Sequence, residues 1–214
     1  NAKMRSTERI EQLLTTIDLM QLATINQIRG IHDLKSYRNA CKVLRQLEPY
    51  TQVTYWNKQK VFYLNKLGRD MIGSEKEIKR NQNLEHVLLR NDVYIYLNKP
   101  INWQTESVIE YSAPQQHKQL GIIIKGVSAV TKTKVIADAK YTRNGYTHLV
   151  EIDNTRHMPD NLKKIKAYAE CFKHLDTPKL EIFTTSLTRK RKFETWLKEY
   201  KLRGEVFTYD EISL

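Results

Sequence analysis

Ile10, Leu13, Leu14 and Ile17 recur at i, i+3, i+4 and i+7, the spacing that lays one apolar stripe along a helix. Ser6 or Thr7 is available as its N-cap. LATINQIRGI predicts a shorter helix capped by Thr24, with Ile25 and Ile28 inward and Gly30 allowing a sharp exit. KSYRNACKVLRQLEPY predicts a third, capped at Ser36, burying Ala40, Val43, Leu44 and Leu47 and stopped by Pro49. TQVTYW and KVFYL then flank a short polar tip, Asn57-Lys58-Gln59-Lys60, and read as a hairpin. NKLGRDMIG predicts one more short helix.

The following EKEIKRNQNLEHVLLRNDVYIYLNK predicts a long helix from about Glu75 to Leu97, ended by Pro100 and bridging two halves. Beyond it the period changes. NWQTESVIEYS alternates as a strand, SAPQQHKQLG reads as a loop, and GIIIKGVSAV is short and apolar. KVIADAKYT and GYTHLVEID are strands around the turn signal Arg143-Asn144-Gly145. MPDNLKKIKAYAECFKHL predicts a helix with Leu162, Ile165, Ala169 and Phe172 inward. KLEIFTTS predicts a strand, LTRKRKFETWLKEYKL a helix with Phe193, Trp196, Leu197 and Tyr200 inward, and EVFTYDEI a last strand. The expected fold is α/β with a mixed central sheet, preceded by three helices and a hairpin in the order of a winged helix-turn-helix. The expected domains are residues 1–75 and 76–214.

Charge sharpens this picture. Against 24 acids stand 36 Lys and Arg, a formal net charge of +12, which points to an anionic partner, nucleic acid first. Residues 1–80 carry 15 bases and 8 acids, and residues 81–214 carry 21 and 16, so both halves are positive. In a winged helix the third helix enters the major groove and the hairpin touches the backbone. Tyr37, Arg38, Asn39, Lys42, Arg45 and Gln46 would face outward there, with Lys58 and Lys60 on the wing. Arg and Asn read guanine and adenine edges, and Lys suits phosphate. A solvated helix face, or a module that docks protein, is the plainer alternative. Arg189-Lys190-Arg191-Lys192 opens a later helix, where cations oppose the helix dipole; either a compensating anion such as DNA phosphate or a solvated run accounts for it.

The candidate chemistry lies in THLVEIDNTR. Glu151 and Asp153 are one residue apart at a strand end and share a face. On the hairpin partner, Asp138 and Lys140 share a face, with Ala137 and Ala139 on the other. Folding the hairpin brings three carboxylates beside a lysine. Crowded carboxylates raise each other's pKa, and Mg²⁺ or Mn²⁺ would neutralise them and activate water. Alternatively Asp138 pairs with Lys140, Arg143 or Arg156, Glu151 caps the next helix, and Asp153-Asn154-Thr155 is a plain turn.

Other chemistry is not indicated. Cys41 and Cys171 are far apart and read as ordinary thiols of a reducing, cytoplasmic setting. His86, His148 and His157 lack metal-ligand spacing, and seven scattered glycines form no phosphate loop. A tyrosine nucleophile of the relaxase kind would need a histidine cluster that the sequence lacks. No apolar run approaches the roughly 20 residues of a membrane helix. The start, Asn1-Ala2, suggests that residues precede it.

An acid on one strand, an acid at the end of its hairpin partner, then a basic helix, resembles the PD-(D/E)xK nuclease-like core. The resemblance puts Asp138 and Glu151 at the two acids and Asp153 where active members carry lysine. Lys140, or Lys163, Lys164 or Lys166 of the next helix, would have to replace it. The early acid of that core would be Glu85 or Glu106. The run RNACKVLRQLE, VFYLNKLGRDMIG, LEHVLLRNDVYIYL, NWQTE, IADAKY, HLVEIDNTR and LKKIKAY, over most of residues 7–170, resembles the plasmid replication-relaxation family. That implies a double-stranded DNA partner from a plasmid or mobile element, with replication or relaxase proteins and a second copy of the chain as further partners. It implies an accessory role in replication, relaxation or mobilisation. The alternatives are a Mg-dependent nuclease or nickase, with Asp138, Glu151 and Lys140 catalytic and Asp138, Glu151 and Asp153 on the metal, and a winged-helix transcriptional regulator.

Overall fold

Hydrogen-bonded side chains start most of the helices. In the computed structural model, which describes residues 2–78, 83–114 and 130–213, Thr24, Ser36, Asn65, Asn83, Ser186 and Thr208 each accept a backbone N–H in the first turn that follows. Each satisfies a donor that the helix itself leaves open. The chain divides into two compact units, residues 1–99 and 100–214. The division falls at Lys99–Pro100, not near residue 75 as the sequence suggested.

The first unit runs α1 (Ala2–Met20), β1 (Ala23–Thr24), α2 (Ile25–His32), α3 (Tyr37–Arg45), β2 (Thr51–Trp56), β3 (Gln59–Leu64), α4 (Lys66–Ile72) and α5 (Leu84–Tyr96). Its small antiparallel sheet has the order β1-β3-β2. This is the helix, strand and hairpin order of a winged helix-turn-helix. Leu13, Leu14, Ile17, Ile28, Ala40 and Leu47 are almost wholly buried, as the apolar stripes require. Helix α1 begins ahead of Ser6 and Thr7, so neither caps it. The exit from α2 is made by Asp33 in left-handed conformation (φ 50°), not by Gly30, which stays inside the helix.

The bridging helix is shorter than predicted. Residues 75–78 are not helical, residues 79–82 lie outside the described residues, and α5 starts at Leu84. It belongs to the first unit for a polar reason. Gln27 Nε2 donates to Leu88 O at 2.9 Å, and Asn91 Nδ2 donates to Leu22 O at 2.6 Å. These buried amides hold α5 against α2 and β1, and their loss would leave backbone carbonyls unsatisfied.

The second unit runs β4 (Gln104–Pro114), β5 (Val130–Arg143), β6 (Tyr146–Ile152), α6 (Met158–Phe172), β7 (Pro178–Thr184), α7 (Leu187–Glu199), β8 (Gly204–Thr208) and a closing turn, α8 (Tyr209–Ile212). The predicted last strand therefore ends early, where Thr208 caps α8. GIIIKGVSAV, save its last residue Val130, and most of SAPQQHKQLG lie outside the described residues. The sheet order is β4-β5-β6-β7-β8. The first three strands are antiparallel, and β6, β7 and β8 are parallel. The protein is thus an α/β protein with a mixed five-stranded sheet. Helices α6 and α7 cover one face, where Leu149, Ile165, Tyr168, Leu180, Ile182, Phe193 and Trp196 form one core. On the opposite face Glu181 Oε1 accepts from Tyr141 and lies 2.9 Å from His148 Nδ1, and the Tyr141 and His148 rings stack. His148 is structural.

Candidate functional site

Strands β5 and β6 pair in register from Arg143↔Tyr146 to Ala139↔Val150, and there the ladder stops. One step further, Ile152 N–H donates to the Asp138 carboxylate (Oδ2, 2.7 Å) instead of to a strand carbonyl. Asp138 marks a change of face as well. Val135 and Ala137 lie in the core under α6, whereas Tyr141, four residues beyond Ala137, turns to the opposite face. Ala137 and Ala139 therefore do not share a face, contrary to strict alternation. Glu106 stands at the same level of β4, between the pairs Thr105↔Ala139 and Ser107↔Ala137, with φ 50°. A left-handed residue there breaks the alternation of β4 too.

The result brings Asp138 and Glu151 together on the α6 side. Both are buried, at 8% and 7% exposure. Their neighbourhood is read from Tyr168 of α6. Burial pushes its phenol well above the ordinary range, and the Glu151 and Asp138 charges add to the rise. Tyr168 donates to Glu151 Oε1, and Lys164, one turn earlier on α6, places Nζ 2.7 Å from Glu151 Oε2. Burial first, and then the Asp138 charge, push Glu151 up to about 8, against the pull of Lys164 and Tyr168. At neutral pH Glu151 therefore mostly keeps its proton. Lys164, with Arg156 Nη1 farther off at 3.8 Å, and not Lys140, is placed against Glu151. Lys140 pairs across the sheet with Gln104 and Leu149.

Asp153 follows a different course. Arg189 of α7 clasps it through Nε and Nη2, each at 2.7 Å, while Asn161 and Thr184 donate at 2.9 and 2.6 Å. Burial alone would raise its pKa, but these four hydrogen bonds hold it below the ordinary carboxylate range. Arg189 and Lys190, both expected to face DNA, are engaged within the fold, Lys190 with Glu211 at 2.6 Å. Arg191 and Lys192 are exposed, and Lys192 lies over the Trp196 ring. The anion that answers the cationic start of α7 is Asp153.

The nuclease resemblance implies a divalent cation, and this donor set does not fit one as it stands. Both Glu151 oxygens and both Asp153 oxygens already accept hydrogen bonds or face a cation. The cleft lined by Glu151, Asp153, Arg156, Asn161 and Lys164 has a volume of about 10 Å³. That admits one water at most, whereas Mg²⁺ keeps several. Among the described residues no group of three His, Cys, Asp or Glu is placed to hold a metal ion.

In the first unit, Tyr37, Arg38, Asn39, Lys42 and Arg45 are exposed along the outer face of α3, while Ala40, Val43 and Leu44 are buried behind them. Asn39 turns partly back, its Nδ2 donating to Leu34 O at 2.9 Å. Arg38, Lys42 and Arg45 line one shallow groove with Ser36 and Cys41. Lys58 and Lys60 are exposed on the β2–β3 hairpin, whose turn is only two residues, Asn57-Lys58.

A helix, strand and hairpin unit followed by an α/β unit with a buried acidic pair defines a two-unit protein with a winged-helix start. The replication-relaxation family profile matches residues 13–185, and the chain belongs to that family. No curated protein matches the chain significantly. A solved structure, described as the crystal structure of protein VC1899 from Vibrio cholerae, is similar at 13% identity and a TM-score of 0.39. The alignment covers 97% of this chain and 53% of that one, so the chain spans about half its length. Among the described residues no helix is long and apolar enough to cross a membrane.

Proposed function

We propose that this protein is a DNA-binding accessory factor of plasmid replication or relaxation, in which the winged-helix unit contacts double-stranded DNA. The observation that carries this reading is the outer face of α3. Arg38, Lys42 and Arg45 are exposed on one side of a helix whose other side is core, and the wing adds Lys58 and Lys60. The net charge of +12 and family membership support it. Salt dependence is its test. Affinity for a duplex should fall with salt at a slope of about −0.9 per phosphate engaged. Arg38→Ala and Arg45→Ala should each weaken binding and flatten that slope, and a flat response in the wild type defeats the reading.

A second reading, a metal-dependent nickase, draws on the convergence of Asp138, Glu151 and Lys164. The prior engagement of their oxygens weighs against it, and so does Asp153, which holds Arg189 where an active core carries lysine. On the favoured reading the acidic pair is a closed, internally neutralised element of the α/β unit. A sharp preference for one sequence, without effect on plasmid copy number, would favour a transcriptional regulator instead.

A further inference from the structure

The β2–β3 hairpin has two unlike faces. Trp56, Val61 and Tyr63 pack on one side with Leu22, Val87 and Leu88. The other side is buried at its base, through Phe62 and Leu64, and opens toward the tip, where Val53 and Tyr55 are 42% and 62% exposed. Tyr55 is directly opposite Lys60 in the register, so ring and ammonium share that open face. Asn57 and Lys58 both take left-handed φ, 46° and 63°, which makes the tight two-residue turn favoured in hairpins and sets Lys58 at the tip. Residues 51–64 contain two lysines and no acid.

A cross-strand Tyr–Lys pair stabilises a hairpin only slightly, and an exposure of 62% shows that the lysine stem does not cover the ring. An open aromatic face flanked by cations and free of acids is instead the composition of a base-stacking platform. We propose that the wing stacks an unpaired DNA base on Tyr55, with Lys58 and Lys60 on the flanking phosphates, so that the protein prefers DNA with an unpaired segment to a continuous duplex. This inference rests on the DNA-binding reading of the first unit and goes beyond it. Stacking on aromatic rings accepts any base, so the preference is for an opened structure and not for a sequence.

The experiment compares three labelled DNAs of equal length by fluorescence anisotropy: a continuous duplex, the same duplex with a central mismatched bubble carrying 2-aminopurine, and a single strand. Wild-type protein should favour the bubble and quench 2-aminopurine. Tyr55→Ala should lose about tenfold on the bubble and the single strand while changing little on the duplex, and Tyr55→Trp should restore both affinity and quenching. Tyr55 is exposed, so folding is not at risk, and circular dichroism checks this. Equal bubble and duplex affinities in the wild type, or a bubble preference that survives Tyr55→Ala, overturns the proposal while leaving duplex binding intact. Absence of all DNA binding defeats both readings, and Arg38→Ala, which should weaken all three DNAs alike, distinguishes helix from wing.

Discussion

Arg189 and Asp153, 36 positions apart, meet in a two-pronged ion pair with both contacts at 2.7 Å. The pair ties the first turn of α7 to the end of β6. It makes Asp153 a structural acid. Arg189→Ala would leave the carboxylate of Asp153, 3% exposed, without its cation. Removing one partner of a buried pair costs more than the pair itself contributes. Because Arg189 is partly open to water, a loss of about 2–3 kcal/mol is expected, read as a lower urea midpoint. Arg189→Lys should recover only part of it, since an ammonium cannot make the two-pronged contact. Asp153, with its folded pKa below the unfolded one, contributes stability at neutral pH that is lost as the pH falls through the folded pKa.

Glu151 gives the opposite pH dependence. Its folded pKa, about 8, lies above the ordinary 4.5. Between those values the unfolded chain releases the proton while the folded chain keeps it. Its contribution is therefore complete below the unfolded pKa and declines as pH rises toward 8, by at most about 1.4 kcal/mol per pH unit. Glu151→Gln keeps the side-chain shape and cannot ionise, so the decline should flatten. Urea midpoints of both proteins at pH 5, 6, 7 and 8 decide it, and parallel profiles would remove Glu151 from the account.

Much of this is legible in the sequence. Helical spacing locates α2, α3, α6 and α7, alternation locates β4, and the Arg143-Asn144-Gly145 turn signal places β5 and β6 around it, because all three are local properties of the chain. The approach of Asp138 to Glu151 followed from the Asn144-Gly145 turn, which fixes the hairpin register. The partners of those acids were less visible. Lys164 and Tyr168 lie four apart and so share one helix face, a signal that points to both once Glu151 is singled out. The Arg189 clasp had only an indirect sign, a cation in the first turn of a helix that needs an anion nearby. The exit of α2 was misread because glycine is the usual left-handed residue, whereas Asp33 also tolerates that conformation. The boundary was misplaced because the amides that hold α5 to α2 and β1, Gln27 and Asn91, look like surface residues in sequence.

The closed acidic pair predicts that supercoiled plasmid stays supercoiled when incubated with the protein and millimolar Mg²⁺ or Mn²⁺. Calorimetry with either ion should show no stoichiometric binding. Nicking that appears with metal and vanishes in both Asp138→Asn and Glu151→Gln would instead mean that Lys164 and Tyr168 release Glu151 when DNA is bound, and the nickase reading would replace the accessory one.

Two glycines of the first unit should respond in opposite directions to the same substitution. A Cβ on Gly68, inside α4, would stand 2.2 Å from the carbonyl oxygen of Tyr50. Backbone on both sides leaves little room to yield, because Tyr50 O also accepts Asn65 N–H at 3.1 Å, immediately before the helix that Asn65 caps. Gly68→Ala should therefore cost about 1–3 kcal/mol through overpacking and loosen the join between α4 and the hairpin. Gly30 is exposed within α2, and a Cβ there meets only the Ile95 side chain at 3.8 Å, an ordinary contact. Gly30→Ala removes the backbone freedom that glycine brings to the unfolded chain, without strain, and should stabilise by about 0.5–1 kcal/mol. Urea midpoints of the two variants moving the same way would mean that α2 and α4 are not packed as described. Because the hairpin is held beside α4, Gly68→Ala should also weaken the wing's DNA contacts, whereas Gly30→Ala should leave them unchanged.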